Sequence, residues 1–167
     1  MVRLLFIALC CLMLNSACKI YSLTGASINP NVVKTATIPY FQNRAQLQQP
    51  MLSRNLTEKL KDKIQSQTSL TLVNESGDIL IDGEITGYTV QPAAIQGDNI
   101  AAKNRLTVTI HVKYTNSKDD EFDYDTTFSR FEDFDSNSSL DAVENDLIDK
   151  IADQLVEDIF NKAFVNW

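Results

Sequence analysis

The chain is nearly bare of the side chains on which nucleophilic and metal chemistry depend. It holds one histidine, one tryptophan and three cysteines in 167 residues. A catalytic triad needs a histidine aligned with its nucleophile. The sole histidine, His111, alternates with Thr107, Thr109 and Lys113 on the polar side of a strand pattern, and it reads as an exposed residue with neither a catalytic nor a metal-binding role. Two cysteines, Cys10 and Cys11, lie inside an N-terminal apolar run, where a thiol behaves as a small hydrophobe. Cys18 is then alone, and no disulfide is available to the chain beyond it. The five glycines form no phosphate-cradling loop. Lysine and arginine total 15 against 22 aspartates and glutamates, a net charge of −7. That balance argues against a nucleic-acid backbone as partner and against adhesion to anionic lipid by charge alone.

What is present begins with the surroundings of Cys18. Arg3 precedes an apolar run over residues 4–14, and Asn15, Ser16 and Ala17 lead into Cys18. A positive start, a short apolar stretch and small residues are the layout of a secretory signal peptide. The run is about half the ~20 residues that a membrane-crossing helix needs. A cysteine directly after the small residues makes this a bacterial lipoprotein signal: residues 1–17 are expected to be removed and Cys18 to carry covalent lipid at the new N-terminus. Asn15 stands where the lipoprotein pattern usually has an aliphatic residue. Two lipid signals suffice for stable anchoring, at ~0.8 kcal/mol per buried methylene.

Residues 18–31 are small and polar and read as a tether, with a reach of at most ~45 Å at about 3.3–3.6 Å per residue. The remainder, 32–167, suits a single domain. Residues 35–41 are rich in strand formers and carry Pro39, which favours an edge or a strand end. Leu52, Leu56, Leu60 and Ile64 recur every four residues, predicting a one-sided helix with Ser53 as N-cap and Leu52 as the residue packed before it. A short run at 69–74 and a turn at 74–78 lead to a strand over 79–90. Ile79, Ile81, Gly83, Ile85 and Gly87 fall on one side of that strand, and the glycines invite a bulge or a close approach. Residues 91–104 read as a long loop, a feature that is often functional.

Leu106, Val108, Ile110, Val112 and Tyr114 alternate with polar residues in the clearest half-buried strand of the chain. A following strand over 122–131 places Phe122, Tyr124, Thr126 and Phe128 inward. The acidic stretch 119–125 lacks the central glycine and terminal glutamate of a calcium loop and alternates with aromatics, as a solvated strand face does. A last helix, opened by Ser138 or Ser139, carries an apolar stripe through Leu140, Val143, Leu147, Ile148, Ile151, Leu155, Ile159 and Phe160. Its stripe has to lie on a sheet. The expected fold is therefore an α+β two-layer sandwich, with two helices on one face of a four- or five-stranded, mostly antiparallel sheet. The first strand, helix and next strand form a crossover if those strands are parallel neighbours. No enzyme and no cofactor beyond the lipid are expected. Lys103 and Arg105, at the end of the long loop, and Lys113, on the polar strand face, are the candidate contacts for an anionic ligand.

In this order of elements, several stretches resemble one family. They are residues 20–27 after the lipid site (Ile20, Tyr21, Ser22, Leu23, Thr24, Gly25, Ala26, Ser27), 70–74, 82–88, 104–109 and the ending Asp158, Ile159, Phe160, Asn161, Lys162. The chain resembles the LptE family of lipopolysaccharide-assembly lipoproteins, in the form found in the Bacteroidetes. The resemblance implies an outer-membrane lipoprotein on the periplasmic side. It also implies a plug for the LptD β-barrel, a partnership with lipopolysaccharide or lipooligosaccharide, and no catalysis. Another class of binding module, an accessory subunit of a different cell-envelope secretion or polysaccharide-export complex, fits the same anchor and fold.

Overall fold

The computed structural model describes residues 31–47, 49–93 and 103–165. The signal region, Cys18 and nearly all of the tether lie outside the described residues, as do positions 94–102 of the long loop.

Eight elements follow in order: β1 (Thr35–Thr37), β2 (Gln42–Asn43), α1 (Pro50–Gln67), β3 (Thr71–Leu72), β4 (Ile79–Pro92), β5 (Lys103–Asn116), β6 (Tyr124–Asp135) and α2 (Leu140–Phe164). The six strands form one mixed sheet in the order β3-β1-β4-β5-β6, with β2 pairing β4. The three short strands pair in parallel, whereas β4, β5 and β6 form a long antiparallel meander. This is the expected two-layer α+β sandwich. It has one strand more than anticipated, because the expected 35–41 strand is cut back to β1 and the added strand β2 follows just beyond it. Pro39, which lacks an amide hydrogen, stands between them. The parallel neighbours β1 and β3, with α1 between, are the β-α-β unit that the pattern suggested.

The core lies between the sheet and its helices. α1 rests against β2 and β3, and α2 against β5 and β6. Leu52, Leu56, Leu60 and Ile64 are fully buried, each stabilising the fold by about 1.5–3 kcal/mol. The helix starts earlier than its periodicity suggested. Gln49 is the N-cap, its side chain accepting from the Met51 amide, with Pro50 in the first turn, where a missing N–H is tolerated. Ser53 is instead buried inside the helix and its carbonyl accepts the Thr57 hydroxyl at 2.7 Å. In α2 the cap is Ser139, without a side-chain bond. The buried stripe also takes in Ala152, Val156, Ala163 and Phe164. Across the two helices Lys59 meets Asp149 and Asp153, and Lys63 meets Glu157.

β4 has the bulge that its glycines suggested. Pairing passes from Ile85–Ile110 to Gly87–Thr109, so Thr86 is an extra residue and the inward positions change parity. Ile79, Ile81, Ile85 and then Tyr88 are buried. Gly87, expected on the apolar side, lies instead on the outer face against Thr109. Gly83 keeps its inward place beneath the ring of Phe41. β6 begins two residues later than expected and runs to Asp135. Its start is set by a turn in which the Asp123 carboxylate accepts the Asn116 amide and the Asp123 amide bonds the Asp120 carbonyl. Phe122 falls in that turn and is exposed, not inward. Tyr124 stacks on Tyr114 at 5.3 Å, and Phe164 of α2 meets Tyr114 edge-on.

Where the chain enters the domain, Asp78 closes the sheet's lower end. Its Oδ2 accepts the amides of Lys34 and Thr35 at 2.9 and 3.1 Å and the Thr35 hydroxyl at 3.0 Å. The Lys34 amide and then the Thr35 hydroxyl hold this carboxyl down from 3.8 to about 2.

Candidate functional site

The helices cover one face of the meander and leave the other open. Alternation along β5 turns Lys103, Arg105, Thr107, Thr109, His111 and Lys113 toward the open face, while Leu106, Val108, Ile110 and Val112 are buried. All three candidate cations thus share one face of one strand. They do not share one pocket: Lys103 and Lys113 are ten residues apart, roughly 33 Å at ~3.3 Å per residue.

Arg105 lies opposite Asp133 of β6, and its Nε and Nη2 donate to the two carboxylate oxygens at 2.7 and 2.9 Å. Its guanidinium carbon sits 3.6 Å above the Phe131 ring. This bidentate bond holds the Asp133 carboxyl below its usual range, and the charges of Arg105 and, more weakly, Lys103 assist. The same bond raises the Arg105 pKa. Part of the guanidinium fork is therefore occupied, and a ligand at this corner meets Arg105 as a fixed, stacked plane. Lys103 is exposed beside it. The adjoining β4 and β5 ends are not loop but ladder, since pairing continues to Pro92–Asn104 and the Ala93 amide bonds the Lys103 carbonyl at 2.8 Å.

Further down the face, Thr109 and Ser129 hydroxyls lie 3.1 Å apart and His111 Nε2 is 2.5 Å from Asp125 Oδ1. His111 is thus half-exposed and paired. Lys113 stands between Asp82 of β4 and Asp125 of β6 in the register. It borders a hollow of about 360 Å³ that includes Gln42, Arg44, Asp82, Glu84 and His111. Arg44 closes on Glu84 at 2.6 Å. Arg44 and Asp133 are residues that the sequence reading missed. Asp133 was legible in principle, as one more step of the β6 alternation. Arg44 sits in a polar stretch with no period to mark it. The open face sets Lys103, Arg105, Lys113 and Arg44 against Asp82, Glu84, Asp125, Asp133 and Asp135, a mixed surface and not a basic one.

The carboxylates of the 119–125 stretch serve the turn: Asp119 accepts the Glu121 amide and Asp123 the Asn116 amide. Among the described residues no group of three or more histidine, cysteine or acidic side chains is placed to hold a metal ion, and no helix is long and apolar enough to cross a membrane. No buried side-chain polar atom among them lacks a hydrogen-bond partner.

Residues 33–163 match the family described as LptE, lipopolysaccharide-assembly. No curated protein sequence matches the chain. Among solved structures, protein CT253 from Chlamydia trachomatis has the same fold, with a TM-score of 0.54 at 7% identity over 80% of this chain and 99% of that one. A minor lipoprotein from Acinetobacter baumannii is similar at a TM-score of 0.49 and 15% identity, over 80% of this chain and 97% of that one.

Proposed function

Because the chain belongs to the LptE lipopolysaccharide-assembly family, we propose that it is a non-catalytic outer-membrane lipoprotein, anchored through lipid on Cys18 on the periplasmic side. In this reading it lodges as a plug in an LptD-like β-barrel and contacts lipopolysaccharide or lipooligosaccharide on its way outward. The family match over 33–163 is the observation that carries the reading. The fold supports it in two ways. The chain enters beside the start of β4, where β1 pairs with Ile79, and β4 then climbs fourteen residues to Pro92, about 45 Å at ~3.3 Å per residue. An anchor at Cys18 would thus hold one end near the lipid while the β4–β5 end, with Lys103 and Arg105, projects away from it. The open face is also lined with hydroxyls and charges, a surface suited to sugar hydroxyls and phosphates.

Affinity purification of the full chain from outer membranes should recover a large β-barrel, and its depletion should strip lipopolysaccharide from the cell surface. Recovery of soluble periplasmic proteins alone, or intact surface lipopolysaccharide after depletion, would refute the plug. Incorporation of labelled fatty acid should be lost in Cys18→Ser; equal labelling in that variant would remove the anchor.

A further inference from the structure

We propose that His111 is a proton switch on the open face, and that an anionic glycolipid binds there more tightly in mildly acidic medium and takes up a proton as it binds. The proposal rests on the reading above, in which the ligand is lipopolysaccharide or lipooligosaccharide, and adds the regulation of that contact. His111 is the one histidine of the chain, and histidine is the side chain whose charge ordinarily changes between pH 5 and 8. In the ladder it stands opposite Glu84 of β4 and Thr127 of β6, and its Nε2 reaches diagonally to Oδ1 of Asp125 at 2.5 Å. Lys113, the next residue along β5 on the same face, stands opposite Asp82 and Asp125. Arg44, beyond β4, is closed on Glu84. The helices lie on the other side of the sheet. Among the described residues the charged groups facing the ring are therefore Arg44 beside β2, Asp82 and Glu84 of β4, Lys113 of β5 and Asp125 of β6.

Three carboxylates thus surround the ring against two permanent cations. A neutral imidazole leaves that neighbourhood with one negative charge in excess, and an imidazolium cancels it. The upper part of the face does not alter the balance, because Lys103 and Arg105 stand opposite Asp135 and Asp133. The face as a whole passes from net acidic to neutral when His111 gains its proton. The ring is placed for this role. Its side chain is 40% exposed, so solvent protons reach it without opening the fold, and it borders the same hollow of about 360 Å³ as Arg44 and Lys113. Protonation also acts through Lys113. Asp125 stands opposite Lys113 yet bonds His111; a charged ring holds that carboxylate in a charge-assisted bond and leaves the Lys113 ammonium to a ligand. A phosphate arriving in the hollow favours the charged ring in turn. Binding and protonation are then reciprocal, and a ligand that prefers the protonated face draws in a proton as it binds.

The test is calorimetric titration of the full chain in detergent with purified lipopolysaccharide, at about pH 5.5 and 7.5, on either side of the ordinary histidine titration, in two buffers of different ionisation enthalpy. His111→Gln is measured alongside; glutamine keeps a donor for Asp125, and circular dichroism checks its fold. The phosphates of the probe titrate in the same window, so the readout is the difference between the two proteins. Relative to the variant, wild type should gain about threefold in affinity at the lower pH, the modest effect that an exposed charge pair allows, and should take up more protons per molecule bound. Asp125→Asn, which removes one carboxylate instead, should bind more tightly than wild type at the higher pH. An equal pH response and equal proton uptake in wild type and His111→Gln, or no gain in Asp125→Asn, would overturn the switch and leave the lipopolysaccharide contact standing. Absence of binding at either pH would overturn the switch together with that contact, which the depletion experiment tests separately.

Discussion

Gly83 and Phe41 offer the sharpest test of how this core is built. A Cβ added at Gly83 would lie 2.6 Å from Cζ and 2.9 Å from Cδ1 of Phe41, and closer still to Cε1, where carbon atoms in contact rest at about 3.5–4.0 Å. The ring has no free direction in which to retreat. Phe41 is fully buried, and its amide is tied to the Thr57 hydroxyl of α1 at 3.1 Å. Gly83→Ala should therefore destabilise by about 1–3 kcal/mol through overpacking, even though alanine in a strand would otherwise gain roughly 0.5–1 kcal/mol over glycine. Phe41→Ala alone should cost about 3–5 kcal/mol through the cavity it leaves. In the double variant the added methyl enters that cavity. Its cost should fall below the sum of the single costs by on the order of 1–3 kcal/mol, the range seen for residues in contact. Urea unfolding followed by far-UV circular dichroism measures all four proteins, with midpoints compared at constant slope. Additivity within about 0.5 kcal/mol would refute the claim that the ring is the reason for glycine at position 83.

The Thr57 hydroxyl accepts the buried Phe41 amide and donates to the Ser53 carbonyl. Thr57→Val should thus cost about 1–3 kcal/mol while Thr57→Ser stays near wild type, and equal stability of the two variants by urea unfolding would refute the bridge. Asp78 is held at about 2 in the fold against an ordinary 3.8. A carboxyl lowered in the folded state contributes stability that is complete above its unfolded pKa and lost as pH falls through the folded one. Wild type should accordingly lose stability more steeply than Asp78→Asn between about pH 4 and 2 in acid titrations of the thermal midpoint, and parallel curves would contradict the assignment. Reversing Lys103 and Lys113 to glutamate should weaken binding of purified lipopolysaccharide while leaving the circular dichroism unchanged, because both side chains project from the open face. Unaltered binding would remove these two cations from the proposed contact.

Sequence periodicity carried the elements whose environment is uniform along their length. Leu52 to Ile64 and Leu106 to Tyr114 repeat at 3.6 and at 2 because each faces the same core throughout, so α1, β5 and the two-layer architecture were legible before any coordinate. Places where a distant residue supplies the partner were not. Gln49 caps α1 ahead of the more obvious Ser53, because Ser53 turns inward under the sheet. Phe122 has the pattern of a strand residue, but the bond from Asn116 to Asp123 bends the chain there. Gly87 looked like a core position until the extra residue at Thr86 changed the parity of β4. The candidate cations were identifiable by charge and position; that Arg105 is held by Asp133 over Phe131, some 30 residues away, is a fact of strand pairing.

By itself, then, the sequence determined the fold class, the poverty in nucleophilic and metal-binding side chains, and a family resemblance that the match over 33–163 establishes. Local pattern and composition suffice for these, because burial of an apolar stripe is a property each segment carries alone. The tertiary structure decided the shortening of the first strand and the added strand β2, the bulge, and the mixed charge of the open face. Each of these depends on which residue of one segment stands opposite which residue of another, and the register of a sheet is settled only when the whole core packs at once.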